Sequence, residues 1–297
     1  MRILLTGPSG FLGAALARYW VTQGHELWLL ARPESNLGRV EDLTATVRVR
    51  RAASPEEVAA AVREATPNAI VHTACCYGRK DETPLDVLDA NLRFGIALLQ
   101  TVLSEPVPGT NQTVFLNTST VLAPDVSLYA LSKTQFSAWG AALAKQVPTH
   151  LRFIDIRLAQ MYGPGDARSK FTTNVIEACR NNEPRLALTL GEQRRDLIHI
   201  DDVVQAYDRI LQKQESFASS DAIDVGSGTA PRLRDFVEMV KRLANSSTEL
   251  DFGAVPYRAN EAMHSVADIS RLSALGWRPV FDLEGGIRQT LNLEPSK

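Results

Sequence analysis

Apolar positions in the first half of the chain fall into short runs with little polar alternation: RILLT (2–6), ELWLLA (26–31), TVRVR (46–50), AIVHTA (69–74), TVFLNT (113–118) and FIDIRL (153–158). Between them, residues 11–22, 55–65, 84–104 and 130–146 repeat their apolar positions at helical spacing. Strands that lack polar alternation are covered on both faces, and strands that take turns with helices pair in parallel. The pattern therefore predicts a doubly wound, Rossmann-type α/β fold, with its ligand beyond the carboxyl ends of the strands. After Gly163 the rhythm becomes irregular, with further helical stretches near 232–244 and 282–292. This predicts a dinucleotide-binding domain over 1–162 and a smaller, mainly substrate-binding lobe over 163–297, some segments of which return to the main sheet.

Composition narrows the class without changing the fold. The 297 residues are 44% hydrophobic and 22% charged, ordinary for a globular protein, and the net charge of −2 with no basic stripe predicts no nucleic-acid partner. No apolar run approaches the ~18 residues of a membrane span, so no membrane partner is expected. The opening MRILLTGPSGFLGAALA has a basic start, but Thr6-Gly7-Pro8-Ser9-Gly10 interrupts what a secretory signal would keep apolar. Cys75, Cys76 and Cys179 make no disulfide framework and have no metal-ligand spacing. The expectation is a cytoplasmic protein without a metal.

The segment LLTGPSGFLGAAL sets Gly7, Gly10 and Gly13 at a strand-to-helix turn, with Ser9 inside the turn and Phe11 and Leu12 opening the helix. Glycines let the backbone turn tightly and let a pyrophosphate approach it, and a helix beginning there aims its N–H groups at the phosphates. The spacing Gly-x-x-Gly-x-x-Gly differs from the commoner dinucleotide fingerprint, but its place after the first strand fits the same use. The second strand ends in Arg32 where an NAD site commonly has an acidic residue. A guanidinium suits a 2′-phosphate, and Ser35 and Asn36 add neutral donors, so NADPH (NADP) is expected before NAD.

Tyr129 and Lys133 lie four apart in a helix-forming stretch and so share a face. A phenol ordinarily titrates near pH 10, and an adjacent ammonium favours the phenolate. That pairing suits proton exchange beside a carbonyl, with Lys133 also bonding the nicotinamide ribose.

The motifs TGPSGFLG, HTACCYG, NLRFGIALL, NTSTVL, YALSK, RLAQMYGPGD, RRDLIHIDDVV and DISRLSALGWRP together resemble the extended short-chain dehydrogenase/reductase family, which includes the NAD(P)-dependent epimerases and dehydratases of nucleotide sugars. The resemblance covers nearly the whole chain. It implies that Thr118, three residues before Val121, hydrogen-bonds the reacting sugar oxygen, and that Thr73 and Ala74 lie against the cofactor. Asn91 is implied to support the cofactor site, or else is an ordinary helix-interior amide. Tyr77 either walls the sugar or packs as a core aromatic. Gln160 stands where relatives usually carry Asn near the sugar. Arg195 and Arg258 face the nucleotide diphosphate by the same resemblance, or serve in surface salt bridges. Asp201 and Asp202 read as a helix cap and first-turn charge, and His199 as core.

Three departures from the family narrow what is implied. Dehydratases carry an Asp-Glu pair after the active-site threonine, where this chain has Ser119-Thr120. Only ten residues separate Thr118 from Tyr129, less than epimerases usually have, and Arg32 argues against tightly held NAD. The resemblance is strongest to the 4-ketoreductases of deoxysugar biosynthesis, of the CDP-abequose synthase type. It implies an NADPH-dependent oxidoreductase acting on a nucleoside-diphosphate 4-keto sugar, with a 4-epimerase holding NAD as the alternative and a non-catalytic NADP sensor as a remoter one. It also implies a homodimer joined through the helices at 84–104 and 130–146.

Overall fold

The computed structural model describes residues 1–79, 81–104, 112–258 and 260–293. All six apolar runs contain strands: β1 (Arg2–Thr6), β2 (Glu26–Ala31), β3 (Arg48–Arg51), β4 (Ala69–His72), β5 (Thr113–Thr120) and β6 (Leu151–Leu158). With a seventh strand, Ser220–Val225, they form one sheet in the order seventh–β6–β5–β4–β1–β2–β3. β1 pairs in parallel with both β2 and β4, β2 with β3, and β4 with β5. The order therefore reverses between β1 and β4, which is where doubly wound sheets open a ligand crevice.

Helix α1 (Phe11–Thr22) follows β1, and α2 (Pro55–Ala65) follows β3. Helix α2 starts where a capping box allows: Ser54 accepts the Glu57 N–H, Glu57 returns a bond to the Ser54 N–H, and Pro55 needs no partner. The helical pattern at 84–104 breaks into α3 (Pro84–Leu88), a π-helical turn Asp89–Arg93 and α4 (Phe94–Ser104). Such turns re-aim a side chain within an otherwise regular helix, and this one contains Asn91. Helix α5 (Leu128–Gln146) begins two residues before the predicted 130, because the Ser127 hydroxyl caps it by accepting the Ala130 N–H at 3.2 Å.

Two strand boundaries also differ from expectation. β4 ends at His72 rather than 74; beyond it side-chain bonds replace the ladder, the Thr73 hydroxyl donating to the Thr6 carbonyl at 2.7 Å and the Ala74 N–H to the Thr6 hydroxyl at 3.3 Å. β3 runs over 48–51 rather than 46–50; in this register Arg48 pairs with Trp28 and its guanidinium lies 5.0 Å from the indole centroid.

The sheet face under α5 is an aromatic layer. Phe115 of β5 stacks on Phe153 of β6 at 5.5 Å, and Phe136 of α5 meets each ring at 6.0 Å. All three rings are fully buried, so Phe136→Ala would cost about 3–5 kcal/mol. This unit comprises Met1–Arg157 with Ile210–Ile223. A second unit, Leu158–Arg209 with Asp224–Lys297, has its own core of Tyr162, Ile176, Phe236, Val240 and Ile287. Its strands are short parallel pairs, including Gln160–Tyr162 with Leu197–His199 and Arg185–Leu188 with Glu249–Phe252. Among the described residues no helix is long and apolar enough to cross a membrane.

Candidate active site

The turn after β1 requires its glycines. Gly7 has φ +70°, and a Cβ there would come within 2.7 Å of the Ala74 nitrogen and 2.9 Å of the Thr73 hydroxyl. A Cβ on Gly13 would run into the Gly7 carbonyl. Gly10 occupies the cap position of α1, its N–H donating to the Gly7 carbonyl at 3.0 Å. No side chain caps α1 and no acidic residue lies in its first turn. Its leading N–H groups and positive dipole end thus suit an anion. Ser9 and Phe11 are half-buried around this cradle, and Leu12 anchors the helix from within the core. From the β4 side Thr73 and Ala74 brace the turn, the Ala74 N–H donating to the Thr6 hydroxyl at 3.3 Å.

At the end of β2, Arg32 is exposed and lies 3.1 Å from Glu34. An exposed pair of this kind is worth about 0–1 kcal/mol, so a phosphate would compete easily for the guanidinium. The loop beneath it is held by Arg51, which donates to the carbonyls of Arg32 at 3.0 Å and Ser35 at 3.2 Å. The Asn36 side chain accepts the Gly38 N–H at 2.8 Å. Arg51 is a site-shaping residue that the sequence reading missed. Its signal is register, because it pairs with Ala31, the last residue of β2.

On α5, Tyr129 and Lys133 stand one turn apart. Lys133 is 1% exposed, and among the described residues its Nζ has no hydrogen-bond partner. Burial pushes its pKa down, against the fields of Cys75 and Asp155. A buried ammonium left without an acceptor is costly, and a ribose hydroxyl group would supply the acceptor. The Tyr129 ring lies 4.7 Å from that of Tyr77 at 30°, and the Arg79 guanidinium lies 5.6 Å from the Tyr77 ring. Tyr77 thus fixes one face of the candidate proton donor. Thr118 is buried near the end of β5.

The Asn91 side chain is committed to protein contacts. It accepts the Cys76 N–H at 2.7 Å and donates to the Cys76 carbonyl at 2.8 Å and the Ser132 hydroxyl at 2.9 Å. It therefore ties the segment after β4 to α5 at the residue before Lys133. His72, across the sheet switch, bonds the Thr6 hydroxyl at 2.8 Å. Burial, and then the Lys133 charge, pull its pKa well below the usual histidine range.

The predicted substrate residues Gln160, Arg195 and Arg258 belong to the second unit. Gln160 is half-buried, its backbone N–H donating to the Asp196 carbonyl at 3.2 Å. Arg195 is buried, and its guanidinium lies 2.5 Å from Glu261; burial lowers its pKa, opposed by that carboxylate. Arg258 is exposed and shares a turn with Glu261, whose N–H donates to the Arg258 carbonyl at 3.1 Å. Glu261, which the sequence reading missed, links the two arginines. Asp201 and Asp202 lie in the first turn of Ile200–Gln212, where Asp202 also accepts the Val280 and Phe281 N–H groups at 2.8 and 3.1 Å. His199 is core, packed between Tyr162 and Phe281.

Known proteins share both the sequence and the fold. The CDP-abequose synthase of Salmonella muenchen is 30% identical over 99% of this chain and 98% of its own length. The CDP-abequose synthase of Salmonella typhimurium is 29% identical over 97% of each. Among solved structures, the UDP-glucose 4-epimerase of Thermus thermophilus, in complex with NAD, superposes with a TM-score of 0.84 at 23% identity, covering 98% of both chains. The dTDP-glucose 4,6-dehydratase of Bacillus anthracis, also in complex with NAD, gives 0.84 at 18% identity over 98% of this chain and 96% of its own. At those identities the structural likeness concerns the fold. The family model for NAD dependent epimerases and dehydratases matches residues 3–226. With the glycine cradle and the Tyr129–Lys133 pair in place, this chain is an NAD(P)-dependent enzyme and belongs to the NAD dependent epimerase/dehydratase family.

Proposed function

We propose that the chain is an NADPH-dependent reductase that converts a nucleoside-diphosphate 4-keto-deoxyhexose to its 4-hydroxy product in deoxysugar biosynthesis, as a CDP-abequose synthase would. One observation carries the reading most: the buried Lys133 ammonium, without a hydrogen-bond partner among the described residues, stands one helical turn from Tyr129. Gly7, Ser9, Gly10, Phe11, Leu12 and Gly13 would hold the dinucleotide phosphates against α1, with Thr73 and Ala74 behind them and Arg32 and Asn36 at the 2′-phosphate. Bound NADPH supplies a hydride to the carbonyl carbon.

The chain's own residues manage the proton. Tyr129 donates its phenolic proton to the carbonyl oxygen, and the Thr118 hydroxyl donates a hydrogen bond to the same oxygen as charge develops there. Lys133 bonds the ribose and stabilises the phenolate left on Tyr129. Arg195 and Arg258 take the diphosphate, Gln160 and Tyr77 bound the sugar, and Asn91 positions the helix that bears the reactive pair. The active form is a homodimer, and the free thiols of Cys75, Cys76 and Cys179 suit the reducing cytoplasm.

CDP-, dTDP- and GDP-linked 4-keto sugars incubated with NADPH test this directly. Consumption of NADPH with appearance of a 4-hydroxy sugar is expected for at least one of them. A purified protein that retains stoichiometric NAD and interconverts 4-hydroxy epimers would instead be an epimerase.

A further inference from the structure

Side chains alternate along β5, so Phe115, Asn117 and Ser119 share the face covered by α5. Phe115 belongs to the aromatic layer there, and the layer nearer the strand ends is polar. Its centre is Asp155 of β6, which is buried. Oδ1 of Asp155 accepts from the Asn117 amide at 2.6 Å and from the Ser137 hydroxyl at 2.7 Å. Ser137 also lies 3.2 Å from the Ser119 hydroxyl and 3.0 Å from the Lys133 carbonyl. Ser137 is the donor in its contacts with Asp155 and with Ser119, and the shorter, charge-assisted one with Asp155 is the stronger. The cluster runs from Ser119 through Ser137 to Asp155. It begins at the neighbour of Thr118 and ends at a carboxylate beneath the helix that carries Lys133.

A buried carboxylate is expensive, and an apolar residue at 155 would pack the same space at less cost. We propose that Asp155 is a positioning residue of the reaction centre: through Ser137 it fixes the Ser119 hydroxyl beside Thr118, and its charge keeps Lys133 an ammonium. Burial acts most on Lys133, opposed by Cys75 from the segment after β4 and then by Asp155 from β6, while Lys133 itself acts on His72 of β4. Asp155 in turn feels Lys133 and Arg157. Burial pushes Lys133 down and Asp155 up, and each charge opposes the other's shift. Burial, and then the Lys133 charge, hold the His72 pKa well below the usual histidine range, which disfavours a competing positive charge there. What Lys133 does with its charge rests on the reductase reading; that Asp155 maintains it does not.

The test is a titration of the cofactor-free protein. The chain has seven lysines, few enough for 13Cε lysine labelling to resolve the Lys133 signal, assigned by its loss in Lys133→Met. Asp155→Asn should move the Lys133 midpoint to lower pH. Wild-type Lys133 should also show a second inflection at acid pH as Asp155 takes up its proton, which needs no variant to fold. Ser137→Ala leaves the carboxylate in place; it should keep the alkaline midpoint and lower kcat with little change in KM. An unmoved midpoint in folded Asp155→Asn, or a wild-type signal without the acid inflection, overturns the charge role. Unchanged kcat in Ser137→Ala overturns the positioning of Ser119. If no keto sugar is reduced while the midpoint still moves, the reductase reading fails and the Asp155 assignment stands.

Discussion

Tyr129 and Lys133 divide the work between a proton and the charge that governs it. Tyr129→Phe keeps the ring against Tyr77 but removes the hydroxyl, so turnover should fall at least about a hundredfold, the usual scale for a lost general acid. NADPH binding, measured by fluorescence titration, should persist, and near-normal turnover would remove Tyr129 from the role. Lys133→Met tests the other half through two opposed effects. It should weaken NADPH binding and slow turnover, yet the cofactor-free protein should become more stable, by about 1–3 kcal/mol less what buried Asp155 loses with its neighbouring charge, because a buried donor without a hydrogen-bond partner among the described residues is replaced by an apolar chain. The sign also follows from titration. A lysine with a depressed pKa in the folded state costs stability below that pKa, and the cost disappears as pH rises past the unfolded value. The gain in Lys133→Met should therefore shrink at alkaline pH, as denaturant melts at several pH values would show. A variant with unchanged stability and unchanged binding would make Lys133 a bystander.

The ends of β2 and β3 decide which dinucleotide fits. Arg32→Asp should turn the preference from NADPH towards NADH, since a carboxylate repels a 2′-phosphate and accepts from a 2′-hydroxyl. One charge-assisted contact is worth about 1.5–3 kcal/mol, so the ratio of kcat/KM values for the two cofactors should shift roughly ten- to a hundredfold. A wild-type protein that already prefers NADH would overturn the reading of Arg32. That residue was visible in the sequence because it ends an apolar run, just as Gly7, Gly10 and Gly13 were visible at the strand-to-helix turn. Arg51 was not, because its role depends on β3 pairing with β2, a contact across the intervening loop. The π-helical turn around Asn91 was hidden for a related reason: the apolar spacing of 84–104 continues through it, and only the tertiary bonds to Cys76 and Ser132 demand the extra residue. The Asn117–Ser137–Asp155 cluster also escaped, since each member reads alone as an ordinary polar residue. Periodicity reports which face is buried; it is silent on polar groups that pay for burial only by meeting one another.

Helices α3 and α5 of the first unit carry large apolar side chains that are exposed among the described residues. Helical spacing along α5 marks Phe136, Trp139, Leu143 and Val147 as surplus; of these Trp139 is 52% exposed, but Phe136 is wholly buried against Phe115 and Phe153, and Leu143 packs on the same core. Exposed beside Trp139 are Leu128 and Leu131 on α5 and Leu85, 70% exposed, with Leu88 on α3. α3 and α5 pack together, so these side chains line neighbouring helices. A two-fold contact between copies would cover both sets at once, each Trp139 serving as an aromatic anchor. Light scattering at micromolar concentration should report a homodimer. Trp139→Glu should weaken it by at least about 2 kcal/mol, roughly thirtyfold in dissociation constant, while leaving the thermal unfolding of the subunit core little changed. Because Tyr129 and Lys133 ride on the same helix as Trp139, activity should also decline on dilution below the dimer's dissociation constant. A monodisperse wild-type monomer with full activity at nanomolar concentration would show that these faces serve another purpose.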